Sequence, residues 1–120
     1  MKTEYRLKKN NEFQFVFQTG ASKANRQFVV YYTDQPNNEH FRVGISVSKR
    51  VGNAVTRNRI KRHIRELIRL MESQISDGKD YVIIARKPTA DMDYHEMKKS
   101  LVHVLKRAGV LRNHSGGSRG

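Results

Sequence analysis

The chain has no cysteine, no tryptophan and only two prolines, and its 11 Asp and Glu are outnumbered by 24 Lys and Arg. Without Cys there is no disulfide framework, no Cys-ligated zinc and no thiol chemistry. No apolar run approaches the roughly 20 residues of a membrane-spanning helix. The opening Met1-Lys2-Thr3-Glu4-Tyr5-Arg6 is not followed by the apolar core of a secretory signal. The lack of Trp also counts against a helix lying on a membrane surface. The scarcity of acid leaves a formal net charge of +13 and a pI of about 10.4. That balance belongs with nucleic-acid binders rather than typical metabolic enzymes. A cytoplasmic protein with no membrane partner is expected. The 120 residues suffice for one domain. Residues 1–112 are assigned to it, and 113–120, of linker composition, to a disordered tail or an appended remnant.

The positive charge is concentrated. Between Lys49 and Arg69 stand eight of the 24 basic residues and a single acid, Glu66. Gly52 and Asn53 favour a turn, so a helix should start at Asn53 or Thr56, either of which can cap it. Ile60, Ile64, Leu67, Ile68 and Met71 then recur at helical spacing as one apolar stripe. At 100° per residue, Arg57, Lys61, Arg65 and Arg69 form a ridge along one border of that stripe, while Arg59 and Arg62 point nearly opposite. A merely solvated helix would mix signs and gain i,i+4 pairs. Here the cations are uncompensated, which costs self-repulsion unless an anion arrives.

Taken in order, Asn10-Asn11-Glu12 can start a short helix that presents Phe13, Val16 and Phe17 on one face and ends at Gly20. Phe15 falls off that face. Residues 21–26 are polar. Gln27 to Thr33 reads as a strand, apolar on both faces. Asp34 to Asn38 is a turn. Phe41 to Ser48 is a strand with Phe41, Val43, Ile45 and Val47 on one face and Arg42, Gly44, Ser46 and Ser48 on the other. Gly44 leaves room there for a close approach. After the basic helix, Ser76 to Asp80 is a turn. Tyr81 to Arg86 is a third strand, interior to the sheet and parallel to the strand before the helix. Pro88 breaks the chain. Asp91 or Asp93 caps a last helix, Asp93 with Glu96 fitting a capping box; Met97, Leu101, Val104, Leu105 and Ala108 line its buried face. This order gives an α+β fold, a small α-β sandwich: a mixed central sheet with helices on one face and the first helix beside the other.

Protein-based catalysis has little support. The five His are scattered, and no two stand at metal-ligand spacing. Capping accounts for Asp91 and Asp93. His63 and His103 read as ordinary helix residues. No catalytic residue and no metal ligand is assigned. Nucleic-acid binding is better supported. The open sheet face offers Val29, Tyr31, Arg42, Ser46 and Ser48, flanked by Phe13 and Phe17 and by Arg57, Lys61 and Arg65. Rings beside a cationic rail suit single-stranded nucleic acid, which needs stacking for bases and charge for phosphates. Arg59 and Arg62, with Lys49 and Arg50, are left for a second anionic surface. A ribosomal RNA-binding protein fits this composition as well. A stand-alone nuclease lacks its constellation.

Val43-Gly44 through Ser48-Lys49, Gly52-Asn53-Ala54-Val55 and Arg57-Asn58-Arg59-Ile60-Lys61-Arg62 resemble the RNR signature of the bacterial ribonuclease P protein subunit. The Lys-rich start with Phe13 and Phe17, Ala24-Asn25-Arg26, and Asp80 to Arg86 agree, so the resemblance spans about residues 5–108. It implies a ribosomal protein S5 domain 2-like fold with a left-handed βαβ crossover, against the right-handed rule. It also implies a protein subunit of a tRNA 5′-end endonuclease whose chemistry is carried by a catalytic RNA with Mg²⁺, bound mainly by that RNA. The partners it implies are ribonuclease P RNA and precursor tRNA. Residue by residue, Phe13, Phe17, Val29, Tyr31, Lys61 and Arg65 match positions that bind the 5′ leader. Lys49, Arg50, Arg57, Asn58, Arg59 and Arg62 fall to the catalytic RNA.

Overall fold

Seven regular elements follow one another in the computed structural model, which describes residues 3–112. They are α1 (Asn10–Thr19), β1 (Ala21–Ala24), β2 (Phe28–Asp34), β3 (Arg42–Val47), α2 (Ala54–Leu70), β4 (Lys79–Ala85) and α3 (Tyr94–Ala108). Short 3-10 turns cover Thr3–Tyr5, Glu72–Gln74 and Lys87–Asp91. The tail expected over 113–120 lies outside the described residues.

The strands form one mixed sheet in the order β1-β2-β4-β3. As the apolar run of Tyr81 to Ala85 requires, β4 is interior. It pairs antiparallel with β2 and parallel with β3, and α2 makes the crossover between the parallel pair. The sheet has four strands where the sequence pattern gave three. Ala21-Ser22-Lys23-Ala24 has no strand signature of its own. It becomes β1 because its backbone pairs with β2, from Ala21 opposite Tyr32 to Ala24 opposite Val29. Asn25 closes the turn, its Oδ1 accepting from the N–H groups of Gln27 and Phe28 at 3.0 and 2.8 Å. The Asn25 amide also donates to the Ser100 carbonyl at 2.8 Å, tying this hairpin to α3.

The helix ends follow local chemistry. Asn53 Oδ1 caps α2 by accepting from Thr56 N–H at 2.9 Å. Asp93 and Glu96 cap α3 reciprocally, each side chain accepting the other's backbone N–H. Gly109, at φ 75°, ends α3 in the left-handed region. Ile60, Ile64, Leu67, Ile68 and Met71 of the α2 stripe are all buried. With Met97, Leu101, Val104 and Leu105 of α3 and Val30, Val43, Tyr81 and Ile83 of the sheet they make the main core. The opposite face carries a smaller cluster of Leu7, Val16 and Val82, with Phe13, Phe17, Tyr31 and Ile84 half-buried around it. The first helix thus covers the face that α2 and α3 leave open.

Candidate nucleic-acid interface

A charged clasp sets α1 on the sheet. Asp80, only 1% exposed, accepts two hydrogen bonds from the Arg42 guanidinium, at 2.9 Å from Nε and 2.7 Å from Nη2. The Asn38 amide also donates to it at 3.0 Å. Arg42 Nη1 reaches across to Glu12 at 3.0 Å, and Glu12 accepts the N–H groups of Lys8 and Lys9 ahead of the helix. Those two N–H groups first, and Arg42 after burial is set against them, hold the Glu12 carboxyl below its ordinary range. The bonds to Asp80 raise Arg42 above the usual arginine value. This clasp was not visible in sequence, where Arg42 read as a free cation of the open face and Asp80 as a turn residue.

The register shows what α1 leaves uncovered. Thr33, Asp80 and Arg42 lie side by side across β2, β4 and β3; the next same-face row is Tyr31, Val82 and Gly44, and the next is Val29, Ile84 and Ser46. Alternation puts all nine on one face. The first row carries the clasp. In the second, Val82 is buried and the Phe13 ring lies on Gly44, where an added Cβ would stand 2.4 Å from the ring carbon Cζ. The space predicted at Gly44 is therefore taken by Phe13. Phe17 meets Tyr31 edge to face, with centroids 4.9 Å apart. The third row, Val29, Ile84 and Ser46, is half-exposed and forms a floor beside these rings. Ile84 belongs to this floor, although the sequence pattern marked only β2 and β3 residues for it.

On α2 the basic ridge is divided by its partners. At its start, Arg57 donates from Nε to the Gly52 carbonyl at 3.1 Å. At its end, Arg69 pairs with Glu66. Between them Lys61 and Arg65 are half-buried, and no carboxylate pairs with either among the described residues. Arg65 Nε is buried with no hydrogen-bond partner. Burial first, and then the nearby Arg6 charge, lowers the Arg65 pKa. Arg65 shares a gap with Phe13, which brings the α1 and α2 sides together.

The second basic surface gathers around the start of α2. Lys49, Arg50, Asn58 and Arg62 are exposed. Arg59 is half-buried, its Nη2 donating to the Ala90 carbonyl at 2.9 Å. His63 packs edge to face on Tyr94, and burial, then Arg59 and Arg62, lowers its pKa and favours the neutral ring. Among the described residues no group of three or more His, Asp or Glu is placed to hold a metal ion. No described helix is long and apolar enough to cross a membrane.

Comparison with known proteins agrees with this geometry. The family model described as Ribonuclease P matches residues 1–109. The ribonuclease P protein component of Geobacillus kaustophilus is 59% identical over 112 residues, covering 93% of either chain. That of Listeria monocytogenes serotype 4b is 58% identical over 119 residues, covering 99% of this chain and 100% of the relative. Among solved structures, the Staphylococcus aureus RNase P protein superposes with a TM-score of 0.85 at 52% identity, covering 90% of this chain and 98% of that one. The Thermotoga maritima RNase P protein gives 0.78 at 33% identity, covering 85% and 96%. With its mixed sheet, its clasped first helix and its divided basic helix, the chain belongs to the ribonuclease P protein family.

Proposed function

We propose that this chain is the protein subunit of a ribonuclease P holoenzyme and assists the removal of the 5′ leader from precursor tRNA. The observation that carries the reading is the half-exposed floor of Val29, Ile84 and Ser46. It has Phe13, Phe17 and Tyr31 on one side, and at the β3 edge Arg65, which shares a gap with Phe13 and Ile45; among the described residues neither Arg65 nor Lys61, one turn earlier on α2, has a carboxylate partner. A single strand needs both parts: rings on which bases stack, and cations that meet phosphates without displacing a resident carboxylate. Phe13, Phe17, Val29, Tyr31, Lys61 and Arg65 are assigned to the leader, and Ile84 joins them. Lys49, Arg50, Arg57, Asn58, Arg59 and Arg62 are assigned to the catalytic RNA. In that group Arg59 and Arg57 are held by backbone carbonyls, so their cations are presented at fixed positions.

The bond-breaking chemistry is assigned to the RNA, with Mg²⁺ working there. The protein's side chains bind, orient and neutralise. The complex is placed in the cytoplasm. Precursor tRNA incubated with the chain alone should stay intact; the chain together with the catalytic RNA should release the leader. Cleavage by the chain alone would overturn the reading. On the reconstituted holoenzyme, Phe17→Ala and Tyr31→Ala should each weaken leader-bearing tRNA by about 1–3 kcal/mol per lost stack. Mature tRNA should be unaffected, and equal losses on both substrates would remove these rings from the leader path.

A further inference from the structure

We propose that Arg6 and Arg65 together form a seat for one phosphodiester of the bound leader, at the open edge of β3 beside Phe13. The proposal deepens the leader-binding reading and rests on it.

The N-terminal segment makes the seat. Arg6 forms an isolated parallel bridge with Val43, and the Leu7 N–H donates to the Val43 carbonyl at 3.1 Å. Leu7 is buried and the Tyr5 ring packs on His40 and Phe41, so the backbone is anchored on both sides of the bridge while the Arg6 side chain stays exposed. Among the described residues the bridge goes no further along β3. Val43 directs its carbonyl off this edge, so the two-residue alternation directs the Ile45 backbone off the same edge. Arg6, Leu7, Phe13, Val43, Ile45 and Arg65 line a gap of about 70 Å³. That is about two waters' worth of space, which suits a small oxyanion and not a base.

The charges point the same way. Two arginines line this gap, and no carboxylate does. Glu4 and Glu12 line a neighbouring cleft that Arg6 also borders, yet neither makes an ion pair with Arg6 among the described residues. Glu12 is already engaged by Arg42 and by two backbone N–H groups. On the other side, Arg65 keeps a buried Nε with no partner. A guanidinium does not shed its proton to relieve such a contact. A phosphate in the gap would bridge both cations and take the planar fork that arginine presents to it. The seat lies beside Phe13, so it sets the backbone register from which neighbouring bases reach the Phe17–Tyr31 pair.

The test uses the reconstituted holoenzyme and precursor tRNAs whose leader carries one neutral methylphosphonate, walked through successive linkages. Arg6→Gln should weaken the all-phosphate precursor roughly tenfold, the scale of a lost charge-assisted hydrogen bond. At one linkage the methylphosphonate alone should produce a similar loss, and there Arg6→Gln should cost nothing more. Arg65→Lys keeps the charge and removes the planar fork; it should lose affinity at the same linkage. Thermal melts of each variant confirm that the fold is retained, as expected for an exposed Arg6 side chain. If Arg6→Gln adds its full loss at every linkage while Phe17→Ala stays specific to leader-bearing tRNA, the seat is overturned and the leader cleft stands. If Arg6→Gln, Arg65→Lys and Phe17→Ala weaken leader-bearing and mature tRNA alike, both fall.

Discussion

The two faces of the sheet are closed in different ways. Beneath α2 and α3, 20 buried hydrophobic residues make a continuous core. Beneath α1 the buried hydrophobic cluster among the described residues is just Leu7, Val16 and Val82, and the helix is held by Asp80, Arg42 and Glu12. An apolar seal is non-directional and scales with area. A charged clasp fixes one position and leaves neighbouring surface uncovered. The difference teaches how a small domain keeps an apolar strip half-exposed without losing its fold. One face supplies the stability, and the other holds α1 at the border of an open row.

The largest effect should come from breaking the clasp. Asp80→Ala leaves Arg42 without its buried partner and should cost about 3 kcal/mol. That is the low end for a broken buried pair, because Arg42 keeps Glu12 and its side chain is 27% exposed. Chemical denaturation measures the loss, and α1 contacts should be the first to disappear in NMR spectra. Gly44→Ala comes next. Its methyl group would displace the Phe13 ring, an overpacking cost of about 1–3 kcal/mol. The α2–α3 side should keep its chemical shifts, and a global loss of dispersion would mean that the two faces are not separable.

Acid should act on the same side more gently. Glu12 has a pKa below its free value of 4.5, so its contribution is present above about pH 4.5 and lost as pH falls through the lower, folded value. Between those values the α1 resonances should shift before those of α3, and Glu12→Gln should abolish the difference. The smallest structural effect belongs to Arg62, on the outer side of the helix that seals the core. Arg62→Ala should leave both faces intact and reduce the salt slope of binding to the catalytic RNA by about one unit. An unchanged slope would make that charge merely solvated.

The sealed face was readable in sequence. The stripe from Ile60 to Met71, the Asn53 cap, the Asp93–Glu96 box and the interior β4 all rest on local rules of spacing and capping. The clasped face was only half readable. The aromatic character of Phe13, Phe17 and Tyr31 was plain, but what Gly44 makes room for depends on where α1 docks. Asp80 and Arg42 meet through β3–β4 pairing across 38 positions of sequence, which no local pattern encodes. Strand β1 was missed for a similar reason, since Ala21 to Ala24 take strand form from pairing with β2. The unequal fates of Arg57, Lys61, Arg65 and Arg69 are invisible to helical geometry, because one ridge can be tied at its ends and free in its middle.

The central place of β4 has a consequence for how the chain reaches this state. It is the last strand in sequence, yet β2 and β3 are both joined through it. Its pairs with β2 close separations of 45 residues or more. During synthesis β1 and β2 can form a hairpin and α2 can begin to coil, but the two apolar faces of β2 have no sheet to enter until residue 85 has emerged. Contacts of that range are slow to close, since the loop entropy is lost before the contact energy is gained. The cations of α2 meanwhile repel one another and keep the waiting chain dispersed. The arrival of one strand therefore acts as the committing step of folding, and substitutions in β4 should slow folding more than equally destabilising substitutions in α1.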